Sequence, residues 1–183
     1  MRREIMTLAA RIGGAILLFV ALCALTPGMT RAASPATPTA EAKHCVVVIA
    51  PRTAEDRAAH RSSQVKHQGC FATQEEKEAA LTAWFGPQRP AATYLLIRFW
   101  RDADQGGGPP LELFSETGCD GYYSANLADW GWDDIASSAE PHCGRAMRLW
   151  ENPGLTGASL YMGSYFNYLG ALNDAVSSWE TAN

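Results

Sequence analysis

Asp133-Asp134-Ile135-Ala136-Ser137-Ser138 and Asn173-Asp174-Ala175-Val176-Ser177-Ser178 are the two stretches whose reading decides the fold. Each has an acid or amide twice, two spacers and a Ser-Ser pair. Carboxylates, amides, hydroxyls and backbone carbonyls are the oxygen donors that a hard cation of flexible coordination, such as calcium, takes. The paired occurrence predicts two related sites.

Working outward, each hexapeptide is preceded by the same series. Trp100 is followed by Gln105 five positions on and Gly107 seven on, and Trp150 by Leu155 and Gly157 in the same register. Beyond the glycines lie Leu111-Glu112-Leu113-Phe114 and Ser159-Leu160-Tyr161-Met162. The offset is 50 at the tryptophans and 40 at the hexapeptides, so the first copy carries ten extra residues between Gly107 and Asp133. A series repeated in order marks a duplicated supersecondary unit. Short apolar runs, Tyr94–Trp100 and Arg145–Trp150 among them, are separated by Gly, Asp and Asn turns, which is an all-β pattern.

Upstream the pattern differs. Cys45-Val46-Val47-Val48-Ile49-Ala50, ended by Pro51, reads as a buried strand. The stretch 52–68 is polar and rich in Arg and His, and reads as a loop. Thr73 with Glu76 fits a capping box for a helix over 74–85 that Gly86-Pro87 stops, with Leu81, Trp84 and Phe85 as its apolar face. Residues 44–90 are thus expected as a small strand-loop-helix region closed by a disulfide, ahead of a domain over 94–183.

The N-terminus has the order of a secretory signal over 1–32: Arg2, Arg3 and Arg11, an apolar stretch from Ile12 to Leu25, then Thr30-Arg31-Ala32-Ala33. The apolar stretch falls short of the roughly 20 residues of a spanning helix. A Pro-, Thr- and Ala-rich leader over 33–43 follows. Cleavage near Ala32 moves the formal net charge from −4 to −7, leaving an acidic chain without a basic run and no footprint for nucleic acid. Cleavage also removes Cys23 and leaves Cys45, Cys70, Cys119 and Cys143, an even number in an exported chain. Three pairings are open; the domain division favours Cys45 with Cys70 and Cys119 with Cys143. Zinc is the rival reading, but His44, His60, His67 and His142 stand outside any C-x-x-C or H-E-x-x-H spacing. No G-x-S-x-G or other nucleophile context is present, which argues against an enzyme. Trp130, Trp132, Tyr122-Tyr123 and Tyr165-Phe166-Asn167-Tyr168 are expected to pack rather than to form a carbohydrate platform.

In the region 94–183 the sequence resembles the βγ-crystallin superfamily in its secreted microbial form. There each motif is a four-stranded Greek key with an aromatic residue, a spaced second apolar residue and a glycine in a folded hairpin, followed by N/D-N/D-x-x-S/T-S. Trp150, Leu155, Gly157 and Asn173 to Ser178 match throughout. The first motif matches at Trp100, Gly107 and Asp133 to Ser138, but has Gln105 where an aromatic is expected and carries the insertion. The implied fold is a Greek-key β-sandwich of two four-stranded motifs.

The resemblance also implies two calcium sites of modest affinity. One takes side-chain oxygens of Asp134 and Ser137 and the other those of Asp174 and Ser177, with Asp133 and Asn173 giving mainly backbone carbonyls. Each borrows a carbonyl of the partner motif near Arg101 or Glu151. The compact second copy, with Asp174 and Ser177, is expected to hold the more dependable site. The implied role is binding outside the cell, with no membrane contact after signal cleavage. Alternatives are inhibition of an extracellular metalloprotease, with the insertion Gly118 to Trp130 as a braced loop, or killer-toxin-like action on a cell-envelope component.

Overall fold

The computed structural model describes residues 43–87 and 94–182. The signal read over 1–32, and the leader apart from Lys43, lie outside these residues. The elements are β1 (His44–Ile49), α1 (Ala54–Ala58), β2 (Val65–Phe71), α2 (Gln74–Phe85), β3 (Leu95–Trp100), β4 (Leu111–Ser115), β5 (Ser124–Asn126), β6 (Ser138–Pro141), β7 (Met147–Asn152), β8 (Thr156–Met162) and β9 (Ser178–Thr181). None of the described helices is long and apolar enough to cross a membrane.

Two sheets form, in the orders β2-β1-β4-β3-β6 and β5-β9-β7-β8. Each motif gives three strands to one sheet and one segment to the other. In the first motif β3, β4 and β6 share the first sheet while β5 pairs with β9 in the second. In the second motif β7, β8 and β9 share the second sheet, while Phe166 bridges Ala139 of β6 in the first. The two Greek keys therefore exchange their third segments and stand in a pseudo-twofold relation.

The sandwich interior is filled from both sheets by Phe99, Leu111, Leu113, Tyr123, Met147, Leu149 and Trp179, all under 2% exposed. Burying each large side chain contributes on the order of 1.5–3 kcal/mol. This core is what fixes the two hexapeptide corners against each other.

The strand-loop-helix region is continuous with this sandwich. β1 pairs parallel to β4, from Cys45 opposite Leu111 to Ile49 opposite Ser115, and β2 pairs antiparallel on its far side. A strand between two partners is apolar on both faces, which explains the unbroken Val46-Val47-Val48-Ile49 run. Val47 and Ile49 enter the sandwich core, whereas Val46 and Val48 turn outward beneath α2, where they meet Leu81, Leu95 and Phe114. The helix has the expected bounds, and the Thr73 hydroxyl accepts from Glu76 N–H while the Glu76 carboxylate accepts from Thr73 N–H. Two elements lie within the stretch read as a loop. α1 carries a second capping box, Thr53 with Asp56, and β2 is an exposed edge strand whose polar residues leave no alternation to read.

Both disulfides join the favoured pairs. Cys45–Cys70 links directly opposed positions of β1 and β2, and Cys119–Cys143 ties the insertion to the segment between the motifs. The insertion does not stand clear of the body. It supplies β5, Tyr123 is 1% exposed, and the Tyr123 hydroxyl donates to the Gly118 carbonyl at 2.6 Å.

Candidate functional site

The hairpin that precedes each hexapeptide is folded over by left-handed residues at equivalent positions. Gln105 and Leu155 both have φ of 62°, and Gly107 and Gly157 have 80° and 82°. A Cβ on Gly107 would come within 2.7 Å of Arg101 Cβ, and one on Gly157 within 2.5 Å of Asn152 Nδ2, so both the torsion and the close approach require glycine. The last serine of each hexapeptide holds the fold-over. Ser138 Oγ donates to the Asp102 carbonyl at 2.7 Å and accepts from Gln105 N–H at 3.2 Å; Ser178 Oγ donates to the Asn152 carbonyl at 2.6 Å and accepts from Leu155 N–H at 3.1 Å. The departure at Gln105 is thereby explained, because the position works through its backbone.

The other serine faces across the pseudo-twofold. Ser137 Oγ donates to Asp174 Oδ1 at 2.8 Å, and Ser177 Oγ donates to Asp134 Oδ1 at 3.3 Å. These hydrogen bonds run between the hexapeptides, whereas the sequence expectation grouped each aspartate with the serine of its own hexapeptide. The physical reason is the antiparallel meeting of the two corners: Asp134 N–H donates to the Val176 carbonyl at 3.2 Å and Asp174 N–H to the Ala136 carbonyl at 3.0 Å. Asp134 and Asp174 take φ of 53° and 51°, a left-handed turn that Asp tolerates better than most residues and that directs each corner at the other.

The two clusters differ in detail. Ser137 and Ser177 are buried, 6% and 3% exposed, while both aspartates reach solvent. Around Asp174, Asn173 Nδ2 donates to Asp174 Oδ2 at 2.8 Å, and Asn173 Oδ1 is buried without a hydrogen-bond partner. The Asp174 carboxylate thus gathers the Ser137 hydroxyl and the Asn173 amide, and carboxylate, hydroxyl and amide oxygens are the donors a hard cation takes. Ser177 belongs to the other cluster, with Asp134 and the adjacent, exposed Asp133. Of the two flanking positions, Arg101 places its guanidinium 4.6 Å over the Trp132 ring, and Glu151 Oε2 accepts from Ala158 N–H at 3.1 Å. Glu151 is thus engaged within its own hairpin, and Arg101 with the tryptophan that precedes the first hexapeptide. Trp132 is buried, as expected, whereas Tyr161, Tyr165 and Tyr168 remain exposed.

Exchanged third segments, folded hairpins pinned by serine and interlocked acidic corners decide the architecture. The fold is that of a βγ-crystallin domain. No family model matches the chain, and no curated protein matches it. Among solved structures, the chain is similar to the N-terminal domain of protein S at 27% identity, over 48% of this chain and 96% of that one, with a TM-score of 0.39. It is similar to a βγ-crystallin domain from Clostridium beijerinckii at 20% identity, over 47% and 95%, with a TM-score of 0.39. The βγ crystallin of Ciona intestinalis gives 23% identity over 47% and 98%, with a TM-score of 0.38. Each crystallin likeness thus extends over nearly all of the other chain and just under half of this one.

The feature that sequence reasoning missed on the outer face of the first sheet is a buried charge cluster. Glu112, 3% exposed, accepts from Lys77 Nζ of α2 and from Arg98 Nε at 2.8 Å, and Arg98 also approaches Glu140 at 3.5 Å. The docking of α2, whose Lys77 reaches it, makes Glu112 an interior residue.

Proposed function

We propose that this is a calcium-binding protein acting outside the cell, with two clamps that each draw side chains from both hexapeptides. Asp174, Ser137 and Asn173 form one donor set, and Asp134 and Ser177 the other. The observation that carries the reading is the reciprocal crossing, in which buried hydroxyls of one corner meet exposed carboxylates of the other beside the unsatisfied Asn173 Oδ1. Backbone carbonyls of Asp133 and Asn173, and those near Arg101 and Glu151, complete the coordination in this proposal. Each clamp centres on a single aspartate at the crossing, so charge neutralisation is incomplete and dissociation constants of about 10⁻⁶ to 10⁻³ M are expected.

The role that follows is binding rather than turnover. Calcium at about 100 times its dissociation constant adds about 2.7 kcal/mol to stability when only the folded state binds. The acidic corners are also relieved of their mutual repulsion. Export is supported by the signal-like order of residues 1–32 and by the two disulfides, which oxidising compartments maintain. Calorimetric titration of the mature chain tests the proposal, with Asp134→Ala and Asp174→Ala each expected to remove one site. Absence of both binding heat and a calcium-dependent rise in melting temperature would remove it.

A further inference from the structure

A cavity of about 400 Å³ lies away from the acidic corners and is built by the parts of the chain that surround the second sheet. Arg52 and Arg57 come from the β1–α1 segment, Tyr122 from the insertion, Arg148 from β7, Tyr161 from β8 and Glu180 from β9. The volume is within the roughly 300–1,000 Å³ of small-ligand sites. Three guanidiniums face one carboxylate here, in a chain whose formal net charge is −4.

The decisive group is Arg52. It is 9% exposed, yet its hydrogen bonding is incomplete: Nη2 donates to the Asp56 carbonyl at 3.3 Å, Nη1 stands 3.8 Å from Glu180, and Nε has no acceptor. A guanidinium carries five N–H donors, and a buried one this poorly matched is costly. Burial also holds it below its ordinary pKa, which an anion would reverse. Arg57 and Arg148 are exposed and make no ion pair among the described residues; their guanidiniums lie 4.2 Å over Tyr122 and 5.6 Å over Trp150.

We infer that this cavity is a binding site for an acidic sugar, a pyranose ring bearing one carboxylate. The carboxylate pairs with the guanidiniums, since arginine offers carboxylates a two-point fork. The half-exposed Tyr161 ring, 52% accessible, gives the sugar an apolar wall. Glu180 selects against simple or multiply charged anions: it repels a second negative charge and accepts a hydrogen bond from a neutral hydroxyl. The site is independent of the calcium clamps and does not rest on that proposal.

Nuclear magnetic resonance titration of the full mature chain with D-glucuronate and D-galacturonate, against D-glucose, acetate and sulfate, tests the inference. Uronate should shift the Tyr161 ring and arginine side-chain signals at about 10 mM, while glucose shifts neither. Arg57→Ala and Arg148→Ala, both at exposed positions, should each weaken uronate binding by about tenfold with the melting temperature and calcium titration unchanged. Glu180→Gln should raise sulfate affinity. No uronate response, or acetate and sulfate binding as well as uronate, would overturn the assignment.

Discussion

β4 is buried along its whole length, whereas β8, its counterpart in the second motif, is exposed over most of its own. The register makes the comparison residue by residue: Glu112 lies opposite Arg98, and Tyr161 lies opposite Arg148, two positions before the respective tryptophans. The hairpins are alike, and the difference is what covers them. β1, β2 and α2 seal the edge and outer face of the first sheet, and β8 is left as an edge strand. Covering buries Glu112 between Lys77 of α2 and the half-buried Arg98. Lack of a cover leaves Arg148 and Tyr161 free for a ligand. Equivalent register positions of the two motifs thus stand in a covered and an uncovered setting.

The comparison breaks first at Glu112. Glu112→Ala strands Lys77 in the interior and should cost about 3–5 kcal/mol, whereas Tyr161→Ala should stay within about 0.5 kcal/mol. Equal losses in urea denaturation would dismiss the contrast. The covering layer itself is tested by replacing Cys45 and Cys70 with Ser, which opens a loop of separation 25 and should cost about 3 kcal/mol.

The crossed clamps give a smaller effect. Ser137→Ala should weaken the calcium site that Asp174→Ala abolishes, and Ser177→Ala the one that Asp134→Ala abolishes, each by about 1 kcal/mol. Calorimetric fits showing the serines grouped with the aspartates of their own hexapeptides would reverse the assignment.

The smallest effect lies in α1. Hydrogen bonds from the Thr53 hydroxyl, then from Arg61, then from the Thr53 backbone N–H lower the Asp56 carboxyl from its ordinary 3.8 to about 2. A depressed carboxylate contributes stability that is complete above its unfolded value and lost as pH falls toward its folded one, so α1 should loosen between about pH 4 and 2. A carbon-detected titration of Asp56 reads this directly, and Arg61→Ala should move its midpoint upward.

Much of this was legible in the sequence where short-range physics decides. Gly107 and Gly157 and the Thr73 capping box depend on neighbours within a few residues, and each stands where it was expected. β2 escaped because an exposed edge strand carries no apolar alternation. The joining of β1 to β4 escaped because the Val run says that a strand is covered, not by what. The grouping of Asp134 with Ser177 depends on a twofold relation between segments 43 residues apart, which spacing alone does not encode.

The exchange of third segments, β5 into the second sheet and Phe166 onto the first, has a consequence for assembly. Neither motif closes its own sheet, so half the molecule is a template missing a strand. That missing strand has the same shape whether it comes from the same chain or from another. During folding, before the halves meet, two copies at high concentration can trade halves and reproduce every contact of the monomer in an intertwined dimer. One continuous chain holds its two halves at a high local concentration that favours pairing within the chain, and refolding yield should fall as protein concentration rises.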